Sequence, residues 1–357
     1  MKISPEWKRI LIGLFVSLLA IAVILYLVDL SLVIDELRSA NILMASSVFV
    51  FTLAWVAVRS AVWRTLLQEK ATFGQVFLTV NEGYLINNVL PLRLGEVARS
   101  FLLSRKAGLG FWQVFSTILI ERALDLMMAA GFLLASLPFV VNASWAAQAA
   151  IGVGALVVAG LLSLYLMARY QVWVLRQFER LMQRWPALNK FGSQQLSAFL
   201  DGLTVLTDGR RFLLAIAWMI TNWLFAILQY YVLLLAFFPE AKPLWAAFCL
   251  GFVALGMAAP SSPGALGVME LAWITALSFF GAEQEAALAA AVLARVANYI
   301  ITGVLGAYGL TVDGISLFSL FRQVKGITSE TTTNQPTPEN AGQDSIPDNV
   351  GPDSTPD

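Results

Sequence analysis

Asn87-Asn88-Val89-Leu90-Pro91-Leu92-Arg93-Leu94-Gly95-Glu96-Val97-Ala98-Arg99 interrupts one apolar stretch of this 357-residue chain. Pro260-Ser261-Ser262-Pro263-Gly264-Ala265-Leu266-Gly267-Val268-Met269-Glu270 interrupts another. A proline inside a helix breaks it, and clustered Gly, Pro and Ser mark turns. The limbs beside each break run to about 16 residues, or ~24 Å of helix, short of the ~30 Å hydrocarbon core of a bilayer. Residues 73–103 and 244–280 therefore read as re-entrant hairpins of two half-helices.

Composition supplies the setting. Hydrophobic residues make up 58% of the chain and charged residues 13%, against roughly 25% charged in a soluble domain. With a mean hydropathy of +0.73, most of the surface needs lipid as its solvent. Uncharged runs occupy residues 10–28, 42–58, 145–168 and 212–238. Two more apolar stretches carry charge: 110–141 holds Glu121, Arg122 and Asp125, and 286–311 holds Arg295. Since a crossing takes roughly 20 apolar residues, the expected fold is an all-α polytopic integral membrane protein with about six full transmembrane helices plus the two hairpins. The first run follows Lys2, Lys8 and Arg9, as a signal peptide would. Its apolar core is long for one and Val28-Asp29-Leu30 lacks a small-residue cleavage pattern, so this helix is expected to be retained.

Basic residues alternate between connections. Three precede the first run and seven lie between Arg59 and Lys106. Seven more lie between Arg169 and Arg211, whereas Arg38 and Lys242 stand alone on the opposite connections. The positive-inside rule then places both termini in the cytoplasm. The spacing of the two breaks also matches. Pro91 to Gly95 and Pro263 to Gly267 are each four residues apart, each followed by a glutamate, Glu96 or Glu270. Arg122 follows Pro91 by 31 residues and Arg295 follows Pro263 by 32. Three crossings separate the hairpins, so they open to opposite sides. This is the pattern of an inverted repeat, which places a site near the bilayer midplane.

The missing residue types narrow the chemistry. There is no histidine, hence no Ser-His-Asp triad, no Cys-His pair and no histidine-held metal. Cys249 alone forms no internal disulfide and reads as a small packing residue. The formal net charge is zero, which argues against a nucleic-acid partner. The 326–357 segment holds six acids and no base, so the membrane body carries +6, from 23 bases against 17 acids. That segment reads as a disordered acidic tail. No P-loop is present, no metal or cofactor is expected, and transport would be passive or ion-coupled.

Candidate site residues collect at the breaks and inside the charged spans. A break at membrane depth frees backbone groups that must face protein or water, and half-helix amino ends favour anions such as phosphate. Asn87, Asn88, Arg93, Glu96, Arg99, Ser261, Ser262 and Glu270 are the candidate head-group ligands. For Glu96 and Glu270 helix capping is an equal alternative. A charge at a helix centre costs about 2.5–3.5 kcal/mol, so it normally meets a partner or a wet cavity. Glu121, Arg122, Asp125, Arg295, Asn298 and Tyr299 form the candidate intramembrane network. In it Arg295 is the counter-ion of Glu121, Asp125 or Glu270. Asn222 and Gln229 read as interhelical glue. Between the spans, residues 169–211 form an amphipathic cytoplasmic connection. Leu175, Phe178, Leu181, Met182 and Trp185 make one stripe and Arg169, Arg176, Arg180 and Arg184 lie away from it. It either rests on an anionic inner leaflet or caps the bundle.

The run from Asn87 to Arg99, Glu121-Arg122-Ala123-Leu124-Asp125 and the run from Pro260 to Glu270 together resemble the lysylphosphatidylglycerol synthase transmembrane (flippase-like) family, over about residues 10–320. That family includes the membrane half of the multiple peptide resistance factor. The resemblance implies translocation of an anionic or head-group-modified lipid between leaflets of the cytoplasmic membrane. Its motifs carry Asn87, Pro91, Arg93, Glu96, Arg99, Glu121, Arg122, Asp125, Pro263, Gly267 and Glu270 over as functional residues, with Gly95 and Gly264 at the breaks. Arg295 joins them partly through the alignment of the two repeats. Ala265 departs from the family, which often has a second glycine there. The expected partners are membrane lipids, whether anionic, aminoacylated or polyprenyl-phosphate-linked, and a lipid-modifying enzyme. In two-part members a soluble aminoacyltransferase domain follows the membrane part. Only the acidic tail follows here, so an enzymatic role is not expected. The alternatives are an integral membrane lipid-modifying transferase or a non-transporting partner of such an enzyme.

Overall fold

The computed structural model describes residue 15 and residues 18–90, 94–140, 144–182, 186–257 and 262–315. Pro91, Arg93, Pro260, Ser261, Arg184, Trp185 and the expected tail at 326–357 lie outside them, as do the first residues of the 10–28 run. The described secondary structure is helical. Its elements are α1 (Leu18–Leu27), α2 (Leu30–Ser39), α3 (Ile42–Leu66), α4 (Phe73–Val89), α5 (Gly95–Ala107), α6 (Phe111–Val140), α7 (Ser144–Arg169), α8 (Gln171–Leu181), α9 (Pro186–Leu203), α10 (Gly209–Leu235), α11 (Pro243–Gly256), α12 (Val268–Ser278) and α13 (Gln284–Val312).

Among the described residues four helices, α3, α6, α10 and α13, are long and apolar enough to cross a bilayer alone. The number becomes six if two bent pairs each count as one span: α1 with α2, bent by 78°, and the 154–169 part of α7 with α8, bent by 87°. These helices expose apolar side chains such as Leu43, Val50, Leu213, Leu224 and Val304. A water-soluble protein would bury residues of this kind, whereas a bilayer solvates them. Helix α3 continues two turns past the apolar run at 42–58, because 59–66 contains no glycine or proline to stop it.

Both interrupted segments are helix pairs that fold back on themselves, α4 on α5 and α11 on α12. Helix α4 has 17 residues and α12 only 11, about 25 and 16 Å of helix and too short to cross. Close approach within the first pair depends on glycine. A Cβ on Gly95 would overlap the Gly83 carbonyl, and one on Gly83 would overlap the Arg99 stem.

The packing partners follow a regular exchange. Helix α3 lies against α10; α4, the first limb of the first pair, lies against α13; and α11, the first limb of the second pair, lies against α6. On the α4–α13 seam Gly306 and Gly309 lie directly on Asn81 and Glu82. On the α11–α6 seam Gly251 lies against Ala129 and Leu133. Such small-residue contacts let backbones approach where no hydrophobic effect drives helices together. One apolar cluster joins α10 to α13 with Cys249 inside it, and a second joins α3, α4, α6, α9 and α10. Gln229 on α10 donates to Thr52 Oγ1 on α3 at 2.8 Å, a buried interhelical hydrogen bond.

Candidate functional site

Five charged side chains from three helices meet between these clusters. Arg59 on α3 grips Asp125 on α6 with both ends of its guanidinium fork, through an Nη1–Oδ1 bond of 2.6 Å and a second bond from Nη2 to Oδ2. Nη2 also donates to Glu121 Oε1 at 2.5 Å. From α5, Arg99 Nη2 donates to Glu121 Oε2 at 2.9 Å, and Arg122 Nη2 donates to Glu121 Oε1 at 2.7 Å. The side chains of Glu121, Arg59 and Arg99 are 0%, 4% and 3% exposed, whereas Asp125 is 18% and Arg122 38% exposed. The cluster is thus closed on one side and opens at Arg122. Three guanidiniums face two carboxylates, leaving one net positive charge in a buried setting.

Aromatic side chains wall the cluster. The Arg99 guanidinium lies 4.1 Å from the ring centre of Trp63, whose indole N–H donates to Thr117 at 3.0 Å. Stacking of this kind is worth about 2 kcal/mol when desolvated. Trp223 on α10 donates to Asp125 Oδ1 at 3.3 Å. Even so, the Nε–H groups of Arg59, Arg99 and Arg122 are buried without a partner among the described residues.

Arg295 belongs to a second, separate group at the other break. Its Nε donates to Glu270, Nη1 donates to the Gly264 carbonyl at 2.6 Å and to the Tyr299 hydroxyl at 3.0 Å, and Nη2 donates to the Ala265 carbonyl at 3.3 Å. Glu270 Oε2 in turn accepts the Gly267 N–H at 2.9 Å, capping α12. Gly264, Ala265 and Gly267 all have positive φ, at 64°, 51° and 80°. Ala265, where a glycine would be more comfortable, thus adopts the left-handed turn, held by Arg295. This turn rests against α4, so the second break abuts the first hairpin.

The first break is capped differently. Asn87 Oδ1, not Glu96, accepts the Gly95 N–H, at 2.8 Å. The Glu96 carboxylate makes no ion pair or side-chain hydrogen bond among the described residues, and α5 has no side-chain cap at Leu94. Asn88 Nδ2 donates to Thr302 Oγ1 on α13 at 3.4 Å. At the far end of this hairpin lies a third ionic group. Lys106 Nζ donates to Glu82 Oε2 at 2.8 Å and to Thr79 at 3.1 Å, and it lies 2.7 Å from Asp313 Oδ2.

The structure brings Glu121, Arg122, Asp125 and Arg99 together, and assigns Glu270, Arg295, Tyr299 and Gly264 to the second break. Of the three counter-ions open to Arg295, it takes Glu270. Asn298 offers its backbone carbonyl to Thr302 at 2.7 Å, and Ser262 serves as the residue before the turn. Sequence reasoning missed Arg59, which it counted only among cytoplasmic bases, and also Trp63, Trp223, Glu82, Lys106 and Asp313. The signal for Arg59 was available: helical sequence without a breaker places Arg59, Trp63 and Leu66 on one face of a longer α3. Glu82 and Asp313 gave none, because they lie 231 positions apart. Among the described residues no group of acidic or cysteine side chains could hold a metal ion.

Comparison with known proteins agrees with this architecture. The family described as Lysylphosphatidylglycerol synthase TM region matches residues 10–306. The chain is 22% identical to the UPF0104 membrane protein MJ1595 of Methanocaldococcus jannaschii, over 86% of this chain and 95% of that one. It is 24% identical to a UPF0104 membrane protein of Methanothermobacter thermautotrophicus, over 85% and 95%. It is also 25% identical to Glycosyltransferase AglD of Haloferax volcanii, over 86% of this chain and 55% of that protein. The chain therefore spans about half the length of AglD and nearly all of the two UPF0104 proteins.

Proposed function

The chain belongs to the lysylphosphatidylglycerol synthase TM region family, a multi-pass membrane family, and on that footing we propose that it moves a lipid with a phosphate-bearing head group between leaflets. The substrate is an anionic or head-group-modified phospholipid or a polyprenyl-phosphate-linked intermediate, and the membrane is the cytoplasmic one. The observation that carries this reading is the buried cluster of three arginines on two carboxylates, with its surplus positive charge and three unpartnered Nε–H groups. Arginine forks match phosphate oxygens in geometry and charge. In the closed arrangement Glu121 and Asp125 occupy those forks. A head group arriving at the exposed edge of Arg122 competes with Asp125, while Glu121 keeps the helices together.

Alternating access draws support from the packing exchange described above. Under the correspondence of α3–α6 with α10–α13, each hairpin lies on the span that follows the other, as expected of an inverted repeat. The alternation of basic connections supports cytoplasmic termini. A lipid-modifying transferase is the second reading, drawn from the name of the Haloferax relative, and a membrane partner of such an enzyme is the third.

The test is reconstitution into phosphatidylcholine vesicles carrying trace fluorophore-labelled phosphatidylglycerol, with dithionite bleaching of the outer leaflet. Protein-dependent loss of the protected pool is expected. Arg122→Gln and Asp125→Asn should slow it by roughly tenfold, the equivalent of about 1.4 kcal/mol on the barrier. A protected pool that stays intact for labelled phosphatidylglycerol, phosphatidylethanolamine and polyprenyl-phosphate lipid alike would refute the transport reading.

A further inference from the structure

The connection between α7 and α10 presents a face that the fold leaves uncovered. Helix α8 leaves the end of α7 at 87°, so if α7 crosses the bilayer, α8 runs along its surface. Part of the stripe that sequence spacing marks as apolar is taken: Leu175, with its neighbour Val174, packs on the core cluster of α9 and its neighbours, whereas Leu181 stays exposed. The Phe178 ring lies directly on Gly192 of α9. At 100° per residue the remaining arc of α8 carries Arg176 and Arg180, with the exposed Glu179 at its edge, while Arg169 ends α7 on the other side of the bend. Val172 flanks the two arginines on one side, and Trp173 and Leu181 on the other, with Tyr170 at the bend before them. All of these are exposed, Trp173 by 60% and Leu181 by 76%. Two arginines and one glutamate bordered by exposed tryptophan and branched aliphatic residues make a poor water-facing surface. They fit the boundary between head groups and acyl chains, where aromatic rings and snorkelling arginines settle.

We propose that this arc of α8 docks on anionic phospholipid head groups of the bilayer the protein spans, with Arg176 and Arg180 on phosphates, outnumbering Glu179, and Trp173 and Leu181 in the boundary. The docked helix pins the end of α7 and holds α9, and through it α6, at a fixed height. The dock concerns a face remote in sequence from the arginine cluster and stands whether or not lipid is transported.

The test uses the full chain with Cys249→Ala and a nitroxide on Val172→Cys, or on Leu181→Cys in a second sample. Each is reconstituted in vesicles of phosphatidylcholine alone or with phosphatidylglycerol. Accessibility to a water-soluble nickel chelate and to oxygen reports depth. Each basic residue near an anionic surface is worth about a fivefold change in partitioning, so removing two is worth roughly 30-fold. Anionic vesicles should shield the label from the chelate and raise its oxygen contact. Arg176→Gln with Arg180→Gln, or high salt, should abolish that difference. Equal chelate accessibility in the two vesicle types overturns the proposal, whether high because the face stays in water or low because a second copy covers it. Shielding in anionic vesicles that survives the double substitution overturns it too.

Discussion

Glu121→Gln is the sharpest test of the arginine cluster. Glu121 accepts at Oε1 from Arg59, Arg122 and Arg99 (2.5, 2.7 and 3.3 Å) and at Oε2 from Arg99 (2.9 Å). Glutamine keeps one acceptor oxygen and turns the other position into an NH2 group, so one face of Arg99 then meets donors. With three guanidiniums and one carboxylate left, the net charge of the cluster rises from +1 to +2 in a buried place. Breaking a buried ion pair from one side costs about 3–5 kcal/mol. Arg99→Met removes the excess charge while its stem still covers Gly83. It forfeits the contact with Trp63, about 2 kcal/mol. The double variant returns the net charge to +1, two bases against one acid. It should therefore be less destabilised than the sum of the singles by roughly 1–3 kcal/mol. Equilibrium unfolding in mixed micelles, followed by tryptophan fluorescence, measures all four corners of this cycle. Additivity within about 0.5 kcal/mol would refute the idea that charge balance holds α3, α5 and α6 together.

Other variants address the two breaks and the third ionic group. Lys106→Met leaves Glu82 buried beside Asp313 without its cation and should cost about 3–5 kcal/mol; adding Glu82→Gln should recover part of it, read by the same unfolding assay. Gly264→Ala places a Cβ on the Tyr299 hydroxyl at a φ of 64° and should cost about 1–3 kcal/mol. Combining it with Tyr299→Phe should relieve the steric share, and a double variant no better than the single would refute that contact. Ala265→Gly should raise the unfolding free energy, by up to about 1 kcal/mol, because it removes the left-handed penalty at 51° against a smaller entropic loss.

The parts of the fold that were legible in the sequence share one property: each is a local consequence of solvent. A bilayer demands some twenty apolar residues in a row and tolerates a break only where it is sheltered. The helical membrane class and the interruption of two apolar stretches follow from segments that can be read a few residues at a time. For Glu270 the sequence leaves capping and head-group contact open. For Glu96 it leaves the same two open, and which residue caps the first break is a tertiary matter. Folding α4 back on α5 across Gly83 and Gly95 brings Asn87 onto the free Gly95 N–H.

Pairing of charges was not legible, because it depends on how far each helix is rotated and where it crosses its neighbour. Arg59 and Arg295 each had several acids within reach along the sequence. Only the α3–α6 contact gives Arg59 to Glu121 and Asp125, and only the fold of the second break gives Arg295 to Glu270 and two turn carbonyls. Lys106 likewise gathers Glu82 and Asp313 only once α13 has packed along α4 on Gly306 and Gly309. The sequence by itself thus determined a helical membrane protein with two sheltered interruptions, since hydrophobic length and helix breaking are local and solvent-driven. Tertiary structure alone decided which arginine answers which carboxylate, because a charge in a low-dielectric interior is stabilised by atoms a few ångströms away and not by sequence neighbours.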